Sequence, residues 1–227
     1  MVDTLVLIHT MPFLVDVFNG LCRDKLPDVK VFHVLNEPLL EHVRLAGDIQ
    51  TEDLEQLQAH IATAESIGAN AVLVTCSTLS PAVDHIYARI PVIKIDDAMI
   101  AQAVSSASRI GVVATNRTTL LPTHALLQAE AARAGRQVEI SMVFVEHALP
   151  ALLGGDGVTH DALVKQAILA LGGKVDVIVL AQASMARVLN KLAGEEVKVP
   201  VLASPHLALE RVRQVLSSQF SRPGGEK

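Results

Sequence analysis

Two stretches in separate halves of this chain carry the same pattern. Asn70-Ala71-Val72-Leu73-Val74-Thr75-Cys76-Ser77-Thr78-Leu79 and Asp176-Val177-Ile178-Val179-Leu180-Ala181-Gln182-Ala183-Ser184-Met185 are each a charge-free apolar run entering a small polar turn. Each is followed by a Pro-Val run, Pro91-Val92-Ile93 and Pro200-Val201-Leu202. Upstream, one apolar run ends at Thr10 and another at Thr115. Thr10 and Cys76 are 66 positions apart, and Thr115 and Gln182 are 67 apart. A short run without charge is buried on both faces, as a strand of a parallel sheet is under covering helices. A repeat of such runs with matched spacing constrains the chain to two similar α/β halves. We place them at about 1–100 and 101–210, with the final helix, 207–219, able to pack back on the first.

The rest of the chain fits that alternation. Strands are expected at Thr4 to His9, Val29 to Val34, Ala71 to Thr75, Pro91 to Ile95, Ile110 to Ala114, Val138 to Val143, Val177 to Leu180 and Pro200 to Leu202. Helices are expected at Leu14 to Asp24, Thr51 to Ile67, Leu120 to Ala134, His160 to Leu171 and Leu207 to Gln219, with a frayed tail from Arg222. Thr51 with Glu52 and Asp53 makes a helix start. The expected fold is α/β: two pseudosymmetric domains with parallel central sheets, with the site between them if the halves face each other.

Composition narrows the function. Lys and Arg number 19 against 24 Asp and Glu, a net charge of −5, so no basic excess exists to neutralise phosphates. With no Trp and one Tyr there is little on which to stack bases. Nucleic acid is therefore not an expected partner. No stretch reaches the length of a membrane span, and two cysteines, Cys22 and Cys76, make no disulfide framework. A cytoplasmic protein without membrane contact is the expectation. The nine histidines show no metal-ligand spacing, so no metal is expected. Gly154-Gly155-Asp156-Gly157 lacks the P-loop lysine and the dinucleotide spacing, and is expected to loop out.

In open parallel sheets a ligand sits beyond the carboxyl ends of the strands. Those ends carry Thr10, Cys76-Ser77-Thr78, Thr115 and Gln182-Ala183-Ser184. An anion there would be held by hydroxyls and by backbone N–H groups at helix starts. Ser77, Thr78 and Thr115 are also ordinary helix caps, and Cys76 could be a small buried hydrophobe. Cys22, beside Phe18, Leu21 and Leu26, belongs to the core.

Val74-Thr75-Cys76-Ser77-Thr78 resembles the first cysteine motif of the aspartate/glutamate/hydantoin racemase superfamily. Asp176 to Ser184 resembles its second motif. The resemblance extends to Ile8-His9-Thr10-Met11-Pro12, to Gly111-Val112-Val113-Ala114-Thr115 and to the Pro-Val runs, in order along nearly the whole chain. It implies chemistry without metal or organic cofactor. Two cysteines flank the substrate Cα; one as thiolate removes a proton, and the other as thiol delivers one. It also implies that Ser77, Thr78, Thr115 and Thr118 bind the substrate carboxylate, and it leaves a homo-oligomer open.

This chain departs from that pattern at the second cysteine, which aligns with Gln182. An amide neither gives nor takes a proton near neutral pH. Three mechanisms follow. Cys76 acts as a single acid/base in a decarboxylase, isomerase or tautomerase; Cys76 is a covalent nucleophile; or a second acid/base exists, His206 being the best placed, with His9 and His147 weaker. The function expected is a cofactor-independent racemase or isomerase acting beside the carboxylate of a small acid. The site is Cys76, Gln182 and His206, with Thr10, Ser77, Thr78, Thr115, Thr118, Ala183 and Ser184 around the substrate. A non-enzymatic protein that binds small acids is the other reading.

Overall fold

A computed structural model describes residues 2–192 and 197–220. The tail expected from Arg222 lies outside the described residues. In chain order the elements are β1 (Thr4–His9), α1 (Phe13–Lys25), β2 (Lys30–Leu35), α2 (Glu37–Ala46), α3 (Thr51–Ser66), β3 (Ala71–Val74), a 3-10 turn at Ser77–Leu79, α4 (Ser80–Val83) and β4 (Val92–Lys94). They continue with α5 (Asp97–Ser106), β5 (Arg109–Ala114), α6 (Arg117–Arg133), β6 (Glu139–Phe144), α7 (Ala148–Leu153), α8 (Gly157–Leu171), β7 (Val177–Leu180), a 3-10 helix at Ala183–Lys191, β8 (Val201–Ala203) and α9 (Ser204–Phe220). Residues 96–204 form one compact unit, and the remaining described residues form another.

Each unit is built on a four-stranded parallel sheet, ordered β2-β1-β3-β4 in one and β6-β5-β7-β8 in the other. The central strands are registered alike. Ile8 is opposite Val74 in the first sheet, and Val113 is opposite Leu180 in the second. The ladders are extended by equivalent bonds, Thr75 N–H to Ile8 carbonyl at 3.0 Å and Ala181 N–H to Val113 carbonyl at 2.9 Å. The sheet beginnings match too. Asn70 Oδ1 accepts from Thr4 N–H at 2.8 Å, and Asp176 Oδ2 accepts from Arg109 N–H at 2.9 Å. The two domains are therefore alike in topology and in register.

In the first unit, Val6, Ile8, Val72 and Val74 point to one face and pack with Leu39, Leu40 and Val43 of α2 and Leu57 and Ile61 of α3. Alternation sends Leu5, Leu7 and His9 to the opposite face, where the His9 ring meets Phe18 of α1. Glu210 of α9 pairs with Lys25 of α1 at 3.5 Å. In the second unit α5 packs on α6, and α8 packs on β5 and on the 3-10 helix. No Cβ could be added at Gly111 without closing to 3.2 Å on Leu171 and Val175, so this glycine lets α8 lie close to β5.

Two helices of substantial length, α2 and α5, fall where the sequence reading placed nothing. Asn36 caps α2 by accepting from Leu39 N–H at 3.1 Å, Pro38 stands in its first turn and Gly47 closes it in the left-handed conformation. Gly157, expected in a loop, is instead the first residue of α8. A Cβ there would come within 2.6 Å of the Arg187 guanidinium, so the glycine makes room for that side chain. Among the described residues no helix is long and apolar enough to cross a membrane, and no group of three His, Cys, Asp or Glu could hold a metal ion.

Candidate active site

The matched registers put the chemistry-bearing residues at the same places in the two sheets. Thr10 follows β1 directly, and Thr115 follows β5. Cys76 lies two residues beyond β3 with extended backbone (φ −113°, ψ 111°) and leads into the 3-10 turn Ser77–Leu79. Gln182 lies two residues beyond β7 with φ −126° and ψ 142° and leads into the 3-10 helix Ala183–Lys191.

In the first unit Cys76 is 8% exposed, and Thr10, Ser77 and Thr78 are buried. Burying hydroxyls in an apolar surround is costly without hydrogen-bond partners, so Thr10 after β1 and Ser77 and Thr78 beyond β3 are a polar feature at the carboxyl ends of this sheet. His206 belongs to the first turn of α9 and is exposed. Neither cysteine is disulfide-bonded. Cys22 is buried on α1, where burial pushes its thiol up to about 11.

Beside Cys76 runs a chain of hydrogen bonds. The Thr75 hydroxyl donates to the Ile8 carbonyl at 3.0 Å, and His9 Nδ1 is 2.8 Å from the same hydroxyl. His9 Nε2 is 2.8 Å from His33 Nδ1, and His33 Nε2 is 3.0 Å from Asn19. His9 stood in the sequence as a lesser acid/base candidate, and the structure ties it to Thr75. Asn19 and His33 had no such standing. Their one signal is a histidine two residues back from the position opposite His9, which needs the β1–β2 register to be seen. Burial and the neighbouring His33 push His9 down to about 3. Burial also lowers His33.

In the second unit Gln182 and Thr115 are joined twice. Gln182 Oε1 accepts from the Thr115 backbone N–H at 2.8 Å and from its hydroxyl at 3.1 Å. Thr115 thus gives both of its donors to Gln182. Ala183 is buried, and Ser184 and Thr118 are half-buried. The 3-10 helix they adjoin is pinned at its far end. Buried Asp161 of α8 meets Arg187 Nε at 3.0 Å and Lys191 Nζ at 2.6 Å, and His160 Nδ1 at 2.8 Å. Burial pushes the Asp161 carboxyl up, and the bonds from Lys191 and His160 with the Arg187 charge more than offset it, leaving it lowered. Arg187 is thereby a structural partner of Asp161. Arg117 lies 4.3 Å over the Phe144 ring and 3.7 Å from Glu146. His147 is exposed, with φ 67°, and precedes α7.

A family model described as Asp/Glu/Hydantoin racemase matches residues 14–212. Three solved structures are similar over most of the chain. Allantoin racemase from Klebsiella pneumoniae superposes with TM-score 0.70 at 17% identity, over 99% of this chain and 95% of that one. Picrophilus torridus aspartate racemase gives 0.74 at 12%, over 98% and 96%. Glutamate racemase isoform RacE1 from Bacillus anthracis gives 0.69 at 15%, over 96% and 82%. At such identities the likeness is one of fold. A search of curated proteins found no match.

Proposed function

Because the chain belongs to the Asp/Glu/hydantoin racemase family, we propose that it is a cofactor-independent isomerase-type enzyme with Cys76 as its acid/base. It acts at the carbon next to the carboxylate of a small acid. The observation that carries this reading is the thiol of Cys76 at the end of β3, directly before the buried hydroxyls of Ser77 and Thr78.

Thiol chemistry suits such a position. An ordinary cysteine has a pKa of about 8.5, so thiol and thiolate are both within reach near neutral pH. The thiolate takes the Cα proton, forming S–H as the C–H bond breaks. The electron pair of that bond moves into the carboxylate, giving an enediolate. Hydrogen-bond donors from Thr10, Ser77, Thr78 and the backbone N–H groups of the 3-10 turn at Ser77–Leu79 would stabilise the added charge. The thiol then returns the proton to carbon.

Racemisation needs a proton from the opposite face as well. Gln182 supplies none, and this favours a second reading in which Cys76 works alone. As a decarboxylase it would give its S–H proton to the carbanion left when the C–C bond to CO2 breaks. As a tautomerase or cis–trans isomerase it would move a proton or add transiently to a double bond. His206 is the best placed candidate for a second acid/base, with His9 and His147 weaker.

Proton NMR in D2O tests both readings on small amino acids, hydroxy acids, substituted malonates, maleate and hydantoins. Exchange of a Cα hydrogen that disappears in Cys76→Ala supports the enzyme. Retention of configuration selects the single-cysteine mechanism, and inversion shows a second acid/base, which His206→Ala then tests. Absence of any exchange, decarboxylation or double-bond shift across that set counts for a protein that only binds small acids.

A further inference from the structure

We infer that the side-chain amide of Gln182 is an oriented hydrogen-bond donor to a carboxylate oxygen of the substrate, and that Thr115 aims it. The inference rests on the proposed acid substrate for the identity of the acceptor. It gives Gln182 a task that does not involve moving a proton.

The orientation follows from one bond. A backbone N–H can only donate, and that of Thr115 points at the Gln182 amide from 2.8 Å. The atom facing it must be the carbonyl oxygen, which the Thr115 hydroxyl also meets at 3.1 Å. The NH2 group therefore points away from Thr115. That nitrogen is buried, and no hydrogen-bond partner meets it among the described residues. A buried donor left in this way is uncommon in folded proteins, and a ligand oxygen is one of the few things that accounts for it.

The support around the amide is rigid. Gln182 sits between β7, central in its sheet, and a 3-10 helix whose Arg187 and Lys191 are both fixed to Asp161. A donor held before the substrate arrives needs no reorganisation during the reaction.

Pyruvate is the probe, since its carboxylate stays ionised in mild acid. In the full chain labelled with 15N-glutamine, the Gln182 NH2 pair is identified by its loss in Gln182→Met. Pyruvate is expected to shift that pair where chloride at equal ionic strength does not. Gln182→Glu keeps an oxygen for both Thr115 bonds and exchanges the donor for a second oxygen. Its pyruvate affinity is expected to fall at least about tenfold near pH 8. It should recover as pH falls through the range where the new carboxyl takes a proton and regains an O–H donor; a purely structural role predicts no recovery. A pair unmoved by pyruvate, or a Gln182→Glu variant that binds it like wild type near pH 8, overturns the inference. The result is separable from that for Cys76. A responding pair without Cα exchange leaves the donor and removes the catalysis, and exchange without a response does the reverse.

Discussion

His9 and His33 face each other between adjacent strands, with 2.8 Å between Nε2 of the first and Nδ1 of the second. The Thr75 hydroxyl spends its proton on the Ile8 carbonyl, so it accepts from His9 Nδ1–H. His33 Nε2 in turn lies 3.0 Å from Asn19 Oδ1, to which it can only donate. A proton added to His9 would place a charge in a buried site beside His33. The groups around the His9 ring are His33, Thr75 and Phe18, and none of them is an anion.

Acid should therefore destabilise the protein through this pair. Burial, with His33 beside it, holds His9 near 3, against 6.5 for an ordinary histidine. Below about pH 6.5 the unfolded chain takes a proton that the folded chain refuses, so the contribution is complete above 6.5 and drains away as pH falls toward 3. Between pH 7.5 and 5 the thermal midpoint of wild type is expected to drop more than that of His9→Asn. The carboxylates titrate mostly below this window. Parallel slopes for the two proteins would count against the argument.

The two cysteines should differ in reactivity. Burial sets the Cys22 thiol to about 11, so near pH 8 only about one molecule in a thousand carries that thiolate, the form that reacts. Limited iodoacetamide treatment near pH 8 is expected to label Cys76 and spare Cys22, as peptide masses will show. Cys22→Ser should label like wild type. Labelling of Cys22 at a rate similar to Cys76 would contradict the assignment.

What the sequence made legible was whatever local chemistry writes into it. Charge-free, β-branched runs such as Ala71–Val74 and Val177–Leu180 read as buried strands, so the two sheets and their likeness were readable, along with the equivalence of Cys76 and Gln182. Helix α2 carried its own signal, since Asn36 and Pro38 are a cap and a first-turn proline. Other features depend on register. That His33 reaches His9 follows from Leu7 lying opposite His33 in β2. That Thr115 meets Gln182 follows from Val113 lying opposite Leu180. Asp161 with Arg187 needs a helix and a 3-10 segment to pack, and their separation of 26 residues gives no hint of it.

Asp161 should matter more to stability than either of its cations. It is a buried carboxylate, while Arg187 and Lys191 are half-exposed and can return to water when unpaired. Asp161→Asn is expected to cost about 2–3 kcal/mol in urea unfolding, against about 1 kcal/mol or less for Arg187→Ala or Lys191→Ala. Gly157→Ala should act on the same cluster, because its new Cβ would lie 2.6 Å from Arg187 Nη2. If Asp161→Asn were no worse than Lys191→Ala, the carboxylate would not be the centre of the cluster.

The pairing of Thr115 with Gln182 can be weighed by a double-mutant cycle. Thr115→Val removes the hydroxyl bond at 3.1 Å and keeps both the backbone N–H bond and the shape of the side chain. Gln182→Met removes both bonds at similar length. A neutral hydrogen bond is worth about 0.5–1.5 kcal/mol net, so the two changes should couple by about 1 kcal/mol in unfolding free energy. Gln182→Met leaves the Thr115 N–H and O–H without their acceptor, but it also removes the buried Nε2, which has no partner among the described residues. These contributions oppose each other, so Gln182→Met is expected to destabilise less than two lost bonds would suggest, and Thr115→Val by about 1 kcal/mol. Additive changes, with no coupling, would mean that the Thr115 hydroxyl does not hold the amide.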